Sequence, residues 1–267
     1  MSNVLLAVKN ISKYYDSKNG WLRQHRVCAL QPLSFSIKRG ETIAIMGETG
    51  SGKSTIARLI AGAEAPSSGE IYLNGELLNP HDYQTRCREI RMIFQDSYRS
   101  LNPQLTIGRQ LLESLKFNTP WPPAEQLEHV YQTLQKVGLL PDHFHFYPHM
   151  LSSGQQQRVC IARAIILEPQ IIVADEAFAS LDPSIRAQII NLILDLKEDM
   201  GISFIFASHS PEIVKHVADK ILIMHRGKMI EFDTTQALLT NPREQITKNL
   251  LQSEQLNKAL KHTTTQE

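Results

Sequence analysis

Apolar residues alternate with polar ones at Val4, Leu6 and Val8, and again between Leu33 and Ile37, the period-two pattern of half-buried strands. Between them, Asp16-Ser-Lys-Asn-Gly20 is rich in turn formers and predicts a break, followed by a basic-aromatic stretch from Trp21 to Val27. Thr42-Ile-Ala-Ile-Met46 is continuously apolar and bounded by Gly40 and Gly47, as expected of a strand covered on both faces. A glycine-rich loop follows, and Ser54 to Ala61 then has helical spacing that stops at Gly62. Strand signals recur at Glu70–Leu73 and Arg91–Phe94. Helical periodicity takes over at Leu105–Phe117 and Glu125–Val137, with Pro120, Pro122 and Pro123 between them. After Ser152 the pattern predicts a helix (Gln155–Ile166), a strand (Ile171–Ala174), a helix (Pro183–Asp199) and a strand (Phe204–Ala207). Two further strands, Lys220–Met224 and Met229–Phe232, meet at Arg226-Gly227. Strands alternating with helices point to an α/β protein with a parallel sheet.

Composition narrows the class. With 267 residues, 42% hydrophobic and 21% charged, the chain is long enough for a sizeable core and too apolar to be disordered. Lys and Arg number 28 against 27 Asp and Glu, so the net charge of +1 gives no basic excess toward nucleic acid. No run is long and apolar enough for a bilayer span, and MSNVLLAVKN lacks the features of a secretory signal. Cys28, Cys87 and Cys160 are odd in number and scattered, which suits a reducing compartment.

The chemistry begins at Gly47-Glu48-Thr49-Gly50-Ser51-Gly52-Lys53-Ser54, a match to the phosphate-binding pattern G-x-x-x-x-G-K-[ST], with Thr55 next. Glycines let several backbone N–H groups face one anion, and the following helix turns its positive end to the same phosphates. Lys53 is expected to reach the β- and γ-phosphates, and Ser54 to ligate Mg²⁺. Ile171-Ile-Val-Ala-Asp175-Glu176 is an apolar strand ending in two carboxylates. Strand ends are where a parallel sheet binds ligands. Asp175 there would hold Mg²⁺ through water, and Glu176 would polarise the attacking water.

Several stretches together resemble the ATP-binding-cassette (ABC) ATPases. Leu151-Ser152-Ser153-Gly154-Gln155-Gln-Gln-Arg158 is similar to their LSGGQ signature, Met92-Ile-Phe-Gln95-Asp to the Q-loop, and Ser180-Leu-Asp182 to the D-loop. Ser208-His209 resembles the switch histidine, and Tyr15 is placed like the aromatic that stacks on adenine, with Tyr14 beside it as the alternative. Two positions depart: Ser153 replaces the first signature glycine, and Ala177 replaces the proline after Glu176. The resemblance implies a P-loop NTPase (RecA-like) core over 1–95 and 151–240, including an N-terminal antiparallel β subdomain. It also implies a helical subdomain over 96–150 that runs into the signature helix to about 167, and a C-terminal extension over 241–267. ATP and Mg²⁺ would be the ligands, the metal held by Ser54, Gln95 and Asp175. Two cassettes would pair head to tail, so that Ser152, Ser153, Gly154 and Gln155 serve the partner's ATP.

Three more stretches resemble the oligopeptide, dipeptide and nickel importer branch: Phe94-Gln-Asp96 with Ser100-Leu-Asn-Pro103, Gly138-Leu-Leu-Pro141 leading to Tyr147-Pro-His149, and Asn241-Pro242 with Thr247-Lys-Asn-Leu-Leu251. Within that branch the features suit a peptide-uptake system linked to antimicrobial-peptide resistance. Two membrane permeases, a second homologous cassette and, indirectly, a periplasmic binding protein would be the partners, with no nucleic acid. The chain would lie peripherally on the cytoplasmic face of a bacterial inner membrane. His143, His145 and His149 are irregularly spaced among aromatic residues and read as a packed loop rather than a metal site. Rival readings are a soluble ABC ATPase acting on nucleic acid or the ribosome, a non-catalytic ATP-binding subunit, and a P-loop GTPase. The last lacks a guanine-reading N-K-x-D motif.

Overall fold

A computed structural model of the chain describes residues 3–18, 24–80, 82–94, 98–179 and 181–251. Packing divides it into two units, one formed by residues 1–80 and 205–267 and the other by residues 81–204. This division by packing differs from the division by motif, which placed the β-strand near residue 90 and the segment after 151 in the core.

The first unit starts with two long antiparallel strands, β1 (Val4–Lys18) and β2 (Gln24–Lys38). Strand β3 (Thr42–Gly47), helix α1 (Lys53–Ala61) and strands β4 (Ser68–Leu73) and β5 (Glu76–Leu77) follow. The order β2-β1-β4-β5 is an antiparallel sheet. The break expected from Asp16 onward does not occur there. Pairing of Asp16 with Arg26, Ser17 with His25 and Lys18 with Gln24 carries β1 three residues further, because cross-strand bonds outweigh weak local propensity. Trp21 lies outside the described residues.

The second unit contains α2 (Tyr83–Glu89), β6 (Ile90–Ile93), α3 (Ile107–Asn118), α4 (Pro123–Lys136), α5 (Ser153–Ile165), β7 (Ile171–Asp175) and α6 (Pro183–Met200). Strands β6 and β7 are parallel, Ile90 opposite Ile171 and Ile93 opposite Ala174. Helix α5 is tied to its neighbours by side chains. Arg158 donates to Val137 O at 2.6 Å, and Arg163 donates to Ser100 Oγ at 2.7 Å. Phe144 packs its ring against Tyr131, with centroids 5.2 Å apart, and fills the space beside Gly108.

Strand β8 (Ser203–Ser208) leads back into the first unit, followed by α7 (Pro211–Val217), β9 (Lys220–His225), β10 (Lys228–Thr234) and α8 (Thr235–Thr240). Strand β9 lies parallel to β3, and β10 antiparallel to β9. All six residues of β3 are buried, as its unbroken apolar run requires. Ala44 and Met46 from β3 pack with Ile221, Ile223, Val214, Leu238 and Leu251. Each such buried Val, Leu, Ile or Met side chain contributes about 1.5–3 kcal/mol. Residues 245–251 are helical, so part of the C-terminal extension belongs to this core.

Candidate active site

The loop after β3 is built around close backbone approaches. A side chain on Gly47 would collide with the Met224 carbonyl oxygen and stand 2.5 Å from Ser51 Oγ. Gly52 has φ +106°, a conformation that side chains resist, and a Cβ there would lie 3.1 Å from Ala29 O. The turn between β9 and β10 backs the loop: Gly227 N donates to Ser51 O at 2.8 Å, and Gln31 N donates to Gly227 O at 2.7 Å. Sequence spacing marked Arg226-Gly227 only as a hairpin turn. Its second role depends on pairing between residues far apart in the chain.

Lys53 is buried, and its ammonium donates to Gly47 O at 2.8 Å and Glu48 O at 3.0 Å. The loop therefore curls around its own cation. Ser51 Oγ is buried with no hydrogen-bond partner among the described residues. Helix α1 opens on Gly52 with no side-chain cap and no acidic residue in its first turn to offset its positive end. An orphaned hydroxyl, an uncapped helix end and a cation at one loop fit a phosphate group. Glu48 and Thr49 are exposed, and Ser54 and Thr55 are half-buried in the first turn of α1.

Tyr15 meets this loop from β1. Its hydroxyl donates to Glu64 Oε2 at 2.6 Å and also faces the Thr55 hydroxyl. Burial first, then the Glu64 carboxylate, raises the phenol pKa. Burial opposes ionisation of Glu64, but the Tyr15 hydroxyl, Lys13 and Arg58 outweigh it and hold that carboxyl below the usual range. Tyr14 lies under the Arg26 guanidinium, 4.5 Å from its ring centroid. Glu64 went unnoticed in the sequence because nothing local marks it as the partner of a residue 49 positions earlier.

The acidic residues close β7. Asp175 is buried, and Glu176 is half-buried with φ +48°, a strained backbone for a residue other than glycine. Asp182 stands at the N-cap position of α6, just before Pro183, without a side-chain cap bond. The signature forms the start of α5: Ser152 Oγ accepts from Gln155 N at 3.3 Å, and Gln155 Oε1 accepts from Ser152 N at 2.9 Å. Ser153 is exposed in the first turn, and Gly154 packs against Ile185. Gln155 Nε2 also lies 3.3 Å from His143 Nε2, while Leu140 N donates to His143 Nδ1 at 2.8 Å. His149 stacks on Tyr147, and His145 packs at the edge of Phe144. His209 follows β8 and is exposed. Gln95, Asp96 and Ser180 lie outside the described residues.

A hydroxyl and a carboxylate, as at Ser54 and Asp175, are hard oxygen donors of the kind that suit Mg²⁺. Residues 30–179 match the protein family described as "ABC transporter". The chain belongs to the ABC transporter family. This cassette is 46% identical over 251 residues to the "Putrescine export system ATP-binding protein SapF" of Escherichia coli K12, covering 94% of each chain. It is 45% identical to the "Peptide transport system ATP-binding protein SapF" of Salmonella typhimurium LT2, again covering 94% of each. Among solved structures, the cassette resembles the dimeric post-hydrolysis state of the ATP-binding cassette MJ0796 bound to ADP and Pi. That match has a TM-score of 0.75 and 28% identity and covers 86% of this chain and 98% of the other. The ABC cassette is an ATPase of the transport type. Among the described residues it has no helix long and apolar enough to cross a membrane.

Proposed function

We propose that this cassette is the ATP-hydrolysing subunit of a peptide importer and drives two membrane permeases from the cytoplasmic face of the inner membrane, alongside a second, homologous cassette. The carrying observation is the loop in which Lys53, the uncapped start of α1 and the orphaned Ser51 hydroxyl converge. In this reading Tyr15 stacks on adenine, while Lys53 and the backbone of Gly47–Ser54 hold the phosphates. Glu176 takes the proton of the attacking water, and His209 and Gln95 orient the water and the γ-phosphate. When bound, Mg²⁺ supplies positive charge to the phosphate oxygens, and Ser54, Asp175 and Gln95 would hold it. Ser152–Gln155 and Asp182 face the partner cassette's nucleotide. Loss of the γ-phosphate then removes a contact shared by both subunits, and the pair separates.

The name of the Escherichia coli K12 relative favours a second cargo and direction, export of putrescine. A Glu176→Gln trap, isolated from native membranes with ATP and Mg²⁺, tests the first part. Two permeases and a second cassette are the expected co-purifying chains. A soluble dimer carrying only nucleic acid or ribosomal proteins would overturn the transporter reading. The complex reconstituted in vesicles then separates the cargoes, since ATP-dependent movement of labelled putrescine but not of labelled peptide would replace peptide import by the second reading.

A further inference from the structure

The loop that leaves Glu176 is gathered onto one guanidinium. Arg186, in the first turns of α6, donates from Nε to Phe178 O at 3.1 Å, and from Nη2 to Ala179 O at 3.1 Å and Leu181 O at 2.7 Å. Its own backbone N–H bonds Asp182 O at 2.8 Å. Ala179 N reaches back to Glu176 O at 3.2 Å. Arg186 is thus the donor to four carbonyls, those of Phe178, Ala179, Leu181 and Asp182, and Ala179 in turn holds Glu176 O. The preceding residue, Ile185, presses on the signature: a Cβ on Gly154 would stand 3.2 Å from its Cγ2. One turn of α6 therefore touches both the loop behind the water-polarising carboxylate and the helix start that serves the partner's nucleotide.

We propose that Arg186 is a positioning residue that holds the loop from Glu176 to Asp182, and with it the Glu176 carboxylate, in the geometry required for hydrolysis. The proposal rests on the reading of Glu176 as the base that takes the proton of water. The φ of +48° at Glu176 is a conformation that persists only when its surroundings enforce it. A planar guanidinium with donors in a fixed fork satisfies three carbonyls from one point. Lysine, a single charge on a flexible stem, cannot span the same set. Loosening the loop would move the carboxylate without touching the phosphate loop, so the hydrolysis step should suffer while ATP affinity does not.

Single-turnover hydrolysis and ATP affinity, measured on the full chain for the wild type, Arg186→Ala, Arg186→Lys, Glu176→Gln and the Arg186→Ala/Glu176→Gln double variant, test this. Arg186→Ala should slow hydrolysis roughly 10- to 100-fold, the scale of a small misplacement at the reacting centre. Arg186→Lys should fall between it and the wild type, and both should bind ATP within about twofold of the wild type. The lysine variant and a urea midpoint for each protein separate positioning from failure to fold. The double variant should be no slower than Glu176→Gln alone, because Arg186 acts through that carboxylate. A wild-type rate in Arg186→Ala, losses that multiply in the double variant, or affinity that falls in step with rate would each overturn the proposal. Wild-type hydrolysis by Glu176→Gln would instead remove the reading of Glu176 itself, whatever Arg186→Ala does.

Discussion

Two adjacent tyrosines occupy different chemical settings. Tyr15 sits with Thr55, Arg58 and Glu64 beside the start of α1, whereas Tyr14 is covered by Arg26. Stacking on a base is worth about 1–3 kcal/mol. Tyr15→Ala should therefore weaken ATP binding about 5- to 150-fold, while Tyr14→Ala leaves it unchanged, as measured by nucleotide titration. Ser153 is exposed in the first turn of α5 and adds a hydroxymethyl group where the signature elsewhere offers bare backbone. Ser153→Gly should accelerate ATP turnover in the assembled complex, roughly fivefold for each kcal/mol gained. An unchanged rate would make the serine neutral. At this scale the sequence marks candidates such as Lys53 and Glu176 by the pattern of their own loops. It hid Glu64, Gly227 and Arg186, whose roles depend on residues that folding brings to them.

Elements with a strong period were legible and those without one were not. β3, β7 and β8 are unbroken apolar runs, and α3 and α6 bury recurrent aliphatic residues, so periodicity located them. Helix α2 reads YQTRCRE, has no apolar stripe and is set instead by Asp82, which accepts from Thr85 N at 3.1 Å. The C-terminal helical residues are secured by a distant carboxylate. Glu231 on β10 accepts from Arg243 N at 3.0 Å and Glu244 N at 3.2 Å. Burial opposes its ionisation, but the facing Thr247 hydroxyl and these N–H groups hold its pKa below the usual value of 4.5. A carboxyl whose folded pKa is depressed stabilises the protein fully above its unfolded pKa, and that contribution is lost as pH falls through the folded value. Glu231→Gln should thus lower stability by about 1 kcal/mol at neutral pH, the scale of a lost helix cap. In urea titrations across pH, the gap to wild type should close in acid, below about pH 4.

For the whole molecule, the first unit is assembled from both ends of the chain with the second unit interposed. Strand β3 pairs with β9, Thr42 N bonds the Asp219 carboxylate at 2.7 Å, and Gly227 N bonds the phosphate loop. The motifs supported an α/β fold with an antiparallel sheet and a helical part, whereas the pairing of β3 with β9 joins residues far apart in the chain and has no local signal. Removing residues 241–267 should strip Leu251 from the core around Met46 and Ile223 and lower the melting temperature. A truncated chain that melts with the full one would show that the C-terminal helix adds no stability.

During synthesis the same arrangement imposes an order of events. The candidate phosphate loop is translated well before the turn that braces it, with the whole second unit between them. At roughly 5–20 residues per second, the wait from Gly47 to Gly227 is on the order of 10 to 40 s. Throughout that interval β3 has an unpaired edge and the nascent chain lacks a finished nucleotide cradle. Closure of the cradle therefore waits for translation of Gly227, and a chain cut short before that residue should fail to bind ATP.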